Sequence, residues 1–345
     1  MQLQSLRKLI PIMFIVLISF MVSITLGLQS ANIILSSGFI SYSVQVPPPN
    51  MWFGAGLDYK LVINRYVSIT EALNSWSSHI DSIRALGLNT VRLALAFPDS
   101  GVTTHSKLVY SELDQVIELL AQNEIHVIID LHNWNDMAGY MGSQSWVDSW
   151  ADFAEYYKDD DRILAYELFN EPFTSTWHSS ITGDGAGRYD GSNGIARALA
   201  ECVDVIRATG DNHFIIYPDP WYWLSYDDAF WHPENWVNSA HYRSKIIVTF
   251  HQYAPNQDTI DELDDYLPDR KRRVTLWSQY CPVWLGEFGM VRKGHQVEVE
   301  YCIRWINFAL ESGFGFNYWM HGYTSSQQAW QYCTQVVQSS DFEGL

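Results

Sequence analysis

Thr90-Val-Arg-Leu-Ala-Leu-Ala96 and Ile125-His-Val-Ile-Ile-Asp-Leu131 are short apolar runs, and between them Leu113, Val116, Ile117 and Leu120 recur at helical spacing. Short β-branched runs alternating with amphipathic stretches read as β/α units. Outward from this unit the same rhythm continues. It gives candidate strands at Trp52 to Leu57, Ile163 to Phe169, His213 to Tyr217, Ile246 to Phe250, Val283 to Gly286 and Phe314 to Trp319, eight in all with the first two. Ser111 with Asp114 is the expected N-terminal cap of the helix carrying Leu113. A second stripe, Val299, Cys302, Ile303, Ile306, Ala309 and Leu310, is expected to end at Gly313. Eight strands with intervening helices predict an α/β fold, a single-domain (β/α)8 barrel of the TIM type over residues 50–345. The first strand, Phe53-Gly-Ala-Gly-Leu-Asp-Tyr59, lacks the G-x-G-x-x-G of a dinucleotide fold.

A chain of 345 residues, 47% hydrophobic and 17% charged, has the apolar content to bury a core. Its net charge of −18 opposes binding to nucleic acid, which needs clustered Lys and Arg. Fifteen Trp and 20 Tyr supply flat rings with a polar tip, suited to the faces of sugars as well as to packing. Arg7 and Lys8 precede an apolar run from Leu9 to Leu28. Residues 1–30 are therefore expected to be a signal peptide or an uncleaved membrane anchor, and 31–49 a spacer or short strand. The expected location is extracellular or at the cell surface, and the expected state a monomer. Cys202, Cys281, Cys302 and Cys333 allow three pairings or free thiols. No metal-binding spacing occurs, and neither a metal nor another cofactor is expected.

In a parallel barrel, chemistry sits at the C-terminal ends of the strands. There the sequence places Arg92, Asp130, His132, Asn170, Glu171, His251, Tyr253, Glu287 and Trp319. Glu171 and Glu287 end the fourth and seventh strands, which face each other across a barrel. Two facing carboxylates can break an acetal, one giving a proton to the leaving oxygen and the other attacking the anomeric carbon. At a separation of about 5 Å the configuration is retained; at about 6.5–9.5 Å a water fits and it inverts. Arg92 would keep the attacking carboxylate ionised, Tyr253 could donate a hydrogen bond to it, and Asn170 is placed to hold a sugar 2-hydroxyl. Glu167, of the same strand parity as Glu171, is expected to be a buried carboxylate paired with a base such as Arg92.

Six stations, Tyr166-Glu-Leu-Phe-Asn-Glu-Pro172, Trp284-Leu-Gly-Glu-Phe-Gly289, the stretches around Arg92 and His132, His251-Gln-Tyr253 and the segment through Trp319, together resemble glycoside hydrolase family 5. The resemblance covers about Asn50 to Val337. It implies Glu171 as acid/base and Glu287 as nucleophile, with Arg92, His132, Asn170, His251, Tyr253 and Trp319 lining the subsite where the bond breaks. It also implies a β-1,4-linked polysaccharide or oligosaccharide substrate, cellulose first and mannan second. The leading expectation is a retaining endo-β-1,4-glucanase; the alternatives are a β-mannanase or other β-glycanase, and a catalytically silent carbohydrate-binding barrel. Trp134, Trp177, Trp221 and Trp223 are candidate sugar platforms, and the glycines at 183, 185, 187 and 191 a mobile cleft wall rather than a phosphate cradle.

Overall fold

The fold is seen in a computed structural model that describes residues 47–58, 68–100, 107–132, 140, 142–171, 194–217, 245–253, 259–279, 281–289 and 296–319. The chain divides into Met1–Gln45 and Val46–Leu345. The leader and most of the expected spacer lie outside the described residues, as do Cys333, the four platform tryptophans and the glycines of the expected cleft wall.

Eight strands, β1 (Phe53–Asp58), β2 (Thr90–Leu95), β3 (His126–Leu131), β4 (Ile163–Glu167), β5 (Phe214–Tyr217), β6 (Ile246–Tyr253), β7 (Val283–Gly289) and β8 (Phe316–Tyr318), form a closed parallel barrel in chain order. Closure is made where Phe53 pairs with Phe316. Helices α1 (Ile69–Ala85), α2 (Tyr110–Ala121), α3 (Gln144–Tyr157), α4 (Gly194–Ala208), α5 (Ile260–Ser278) and α6 (Gln296–Ser312) connect them.

Strand alternation sorts the side chains. Val91, Leu93 and Leu95 of β2 and Val127, Ile129 and Leu131 of β3 join the main apolar core with the helices. On α2 the expected stripe of Leu113, Val116, Ile117 and Leu120 is fully buried, each side chain contributing roughly 1.5–3 kcal/mol. A second cluster, Trp52, Ile128, Leu164, Ala165, Ile216, Ile247 and Trp284, fills the interior towards the N-terminal ends of the strands. The barrel is thus plugged below by apolar rings, and its polar interior lies at the other end.

Helix boundaries follow local chemistry. Capping boxes of Ser68 with Glu71 and of Thr259 with Glu262 start α1 and α5. Gly313 ends α6 as expected, with φ +70°; its N–H bonds Leu310 O at 3.3 Å and that of Phe314 bonds Ala309 O at 3.0 Å. The expected Ser111 cap is not formed. The helix begins at Tyr110 behind Val109, without a side-chain cap. Its entry is set by tertiary contact, since Lys107 bridges Ala96 and the Leu108 N–H bonds Ala96 O at 2.8 Å. Asp114 instead accepts hydrogen bonds from Tyr156 and Tyr157.

Two strands run further than the sequence suggests, β6 through Tyr253 and β7 through Gly289, so His251, Tyr253 and Glu287 lie within strands. By contrast β4 stops at Glu167. Beyond it the Leu168 N–H bonds Ile216 O at 3.2 Å and the Asn170 N–H bonds Leu131 O at 3.0 Å, so the irregular segment is still tethered on both sides. Cys202 and Cys281 are buried free thiols, and Cys302 is buried.

Candidate active site

Arg92 points from β2 into the barrel and is completely buried. Its Nε and Nη2 donate to the two oxygens of Glu167 at 2.6 and 2.9 Å, and Nη2 also donates to Asn170 Oδ1 at 2.7 Å. Nη1 donates to Glu287 Oε1 at 2.7 Å and lies 3.0 Å from Asp130 Oδ2. Burial opposes the charge of this guanidinium, but the carboxylates of Asp130, Glu167 and Glu287 outweigh it and hold its pKa well above the ordinary value. The expected pairing of Glu167 with Arg92 is present, and burial pushes the Glu167 carboxyl up against the opposing pull of Arg92.

Strict alternation along β7 would send Glu287 outward with Leu285. A register shift prevents this: Phe250 pairs with Leu285, but His251 pairs with Glu287. Gly286 is the extra residue, and the bulge returns Glu287 to the interior. The position demands glycine, since a Cβ there would stand 2.0 Å from Thr249 Oγ1 and 3.1 Å from His251 Nε2. Glu287 then receives Arg92 on Oε1 and the Tyr253 hydroxyl on Oε2 at 2.8 Å.

Glu171 faces this carboxylate from beyond β4. Burial raises its pKa to about 7, with Arg92 pulling the other way, although its side chain keeps 15% of its surface exposed. His251 Nδ1 lies 2.7 Å from Glu171 Oε1 and 3.6 Å from Glu287 Oε2. Burial lowers the His251 pKa, with Glu287 acting in the opposite sense, so the ring is neutral near pH 7. An oxygen of each glutamate and a ring nitrogen of His251 all lie within 4.8 Å of one another. These three groups could ligate a divalent ion, but bonds of about 2.1 Å would hold two ligands some 3 Å apart or more. The 2.7 Å contact of His251 with Glu171 has the length of a hydrogen bond.

On the other flank, His132 Nδ1 lies 2.5 Å from Asp130 Oδ2, and Asn170 Nδ2 is 3.4 Å from His132 Nε2. Trp319 stacks on the His132 ring, with centroids 4.4 Å apart and planes 9° apart, and stands 5.5 Å from the Arg92 guanidinium. All eight expected site residues therefore share one mouth. Sequence reading assigned no role to Asp130, Thr249 or the interior glycines; for Asp130 the usable signal was its position two residues before His132, on the same face of β3.

A closed parallel barrel that gathers two facing carboxylates at its C-terminal mouth defines the class of barrel glycoside hydrolases. The family model described as cellulase (glycosyl hydrolase family 5) matches residues 59–325, and the chain belongs to that family. Endoglucanase H of Acetivibrio thermocellus is 23% identical over 281 residues, covering 72% of this chain and 28% of that protein. Endoglucanase B of the same organism is 24% identical over 341 residues, covering 76% and 59% respectively. The chain thus spans less than two thirds of the length of either relative. Among solved structures, an endoglucanase from Thermotoga maritima superposes with a TM-score of 0.62 at 14% identity, over 84% of this chain and 98% of that one. Cellulose synthase subunit Z from Clostridioides difficile gives 0.60 at 19% identity, over 83% and 99%. At such identities the structural likeness is one of fold.

Proposed function

We propose that this family 5 glycoside hydrolase is a retaining endo-β-1,4-glucanase with Glu171 as acid/base and Glu287 as nucleophile. One observation carries the reading: two carboxylates with oxygens within 4.8 Å stand in opposite environments. Glu171 is raised to about 7 by burial and can hold a proton, while both oxygens of Glu287 accept hydrogen bonds, from Arg92 and Tyr253. Carboxyls held this differently can divide the roles of proton donor and nucleophile between them.

In the first step a Glu287 oxygen attacks the anomeric carbon, the glycosidic C–O bond breaks, and Glu171 gives its proton to the departing oxygen. In the second, Glu171 takes a proton from water as that water attacks the anomeric carbon, and the ester bond to Glu287 breaks. Asn170 has its Oδ1 occupied by Arg92. Its Nδ2 therefore remains the group to hold the 2-hydroxyl, a contact that strengthens as the sugar becomes cationic. The substrate class is supported by relatives named endoglucanases, whose scissile-bond chemistry is shared by mannan-cleaving enzymes on this fold. The proposed setting, secreted or tethered by residues 9–28, rests on the apolar run alone; cell fractionation with and without residues 1–30 tests it.

The deciding experiment is a product profile on carboxymethyl-cellulose, barley β-glucan, mannan and xylan, with anomers followed by NMR. Oligosaccharides from the two glucans, appearing first as the β-anomer, are expected. Cleavage of mannan alone would replace the substrate, initial α-anomer would replace the mechanism, and no turnover would leave a binding barrel.

A further inference from the structure

Gly56 lies within β1 and faces the barrel interior beside Asn317 and Trp319. A Cβ at this position would stand 2.2 Å from Cε3 and 2.7 Å from Cζ3 of Trp319. The edge of the indole thus occupies the volume that any side chain would need. Backbone geometry gives no other reason for glycine, since Gly56 is not among the residues with positive φ. A glycine inside a strand weakens it and commonly marks a place where another group approaches closely.

One face of the Trp319 ring and its backbone are held as well. Its ring lies flat on His132, which Asp130 holds at 2.5 Å. Its backbone N–H bonds Phe288 O at 2.9 Å, and its backbone carbonyl oxygen stands 2.5 Å from where a Cβ on Gly289 would be. Gly56 on β1 thus admits the edge of the indole, and Gly289 on β7 admits the backbone carbonyl of the same residue.

We infer that Gly56 is a positioning residue for hydrolysis, admitting the edge of Trp319 so that the indole forms a fixed floor beneath the sugar under attack. This rests on the reading of the barrel mouth as the site of glycoside cleavage. The size of the effect follows from the contact. Carbon atoms pack at about 3.5 Å or more. With 2.2 Å available, Gly56→Ala moves the ring by over an ångström if β1 holds its place. Displacement of about 1 Å in a group that orients substrate can cost on the order of 100-fold in rate.

The test is a double-mutant cycle of Gly56→Ala and Trp319→Ala, read by kcat/KM on an aryl cellobioside and by Tm. Gly56→Ala alone is expected to lower kcat/KM by about 10- to 100-fold, more through kcat than through KM. In the Trp319→Ala background the same change is expected to alter neither kcat/KM nor Tm further, because the obstructing ring is gone. Additive losses would place the defect in β1 itself and overturn the inference, as would wild-type kinetics in Gly56→Ala. Should Gly56→Ala fail to fold, recovery of folding in the double variant supports the inference and failure to recover overturns it. If the wild-type protein cleaves no β-glycan, the functional reading falls, while the Tm cycle still decides whether the ring fills the space at Gly56.

Discussion

Raising the pH through neutrality should switch this enzyme off by removing one proton. Burial holds the Glu171 carboxyl at about 7 instead of 4.5, and the proposed first step needs it protonated. For kcat/KM on a β-glucan, activity should fall with a single ionisation near pH 7, reaching roughly one tenth of its plateau by pH 8. Holding the pKa at 7 corresponds to roughly 3 kcal/mol of preference for the neutral form. The same preference acts on stability. Between pH 4.5 and 7 the folded state keeps a proton that the unfolded chain has lost, so this contribution is complete below 4.5 and declines as pH rises to 7. Glu171→Gln mimics the neutral acid and should be more stable than the wild type above pH 7, by up to about 3 kcal/mol in urea unfolding. On a dinitrophenyl cellobioside, whose leaving group needs no proton, Glu171→Gln should retain the first step and lose the alkaline limb. A limb that persists near pH 7 in Glu171→Gln, or a wild-type limb near pH 4.5, would refute the assignment of that proton to Glu171.

Three further outcomes are expected. Arg92→Met removes the guanidinium that pairs with Asp130, Glu167 and Glu287, and should cost about 3–5 kcal/mol of stability at pH 7 by chemical denaturation. Tyr253→Phe deletes the hydroxyl that donates to Glu287 Oε2 at 2.8 Å; steady-state kinetics should show kcat/KM down by about 10- to 100-fold, with Tm nearly unchanged. Gly286→Ala drives a methyl group to 2.0 Å from Thr249 Oγ1, and should lower both Tm and activity, with both partly restored when Thr249→Ala makes room.

Much of this could be read one residue at a time. The alternation of apolar runs with helical stripes is a local property of the chain, and it carried the number of strands, their order and the burial of Leu113, Val116, Ile117 and Leu120. Residues two apart share a strand face, so Arg92, Asp130, His132 and Glu167 were legible as a group pointing to one mouth. Local rules failed where distant strands dictate conformation. Ser111 has the chemistry of a cap, yet the contact of Lys107 with Ala96 goes with a helix that starts two residues earlier, behind Val109. Simple alternation would turn Glu287 away from the cleft; only the register of β7 against β6 and β8 inserts Gly286 and turns it back. The chemical distinction between the two glutamates belongs to tertiary structure as well. Both are ordinary carboxyls in sequence, and it is closure of the barrel that buries Glu171 beside His251 and clamps Glu287 between Arg92 and Tyr253. Electrostatic environment depends on distance through space, and for residues 116 positions apart that distance is set by the closed sheet rather than by the chain between them.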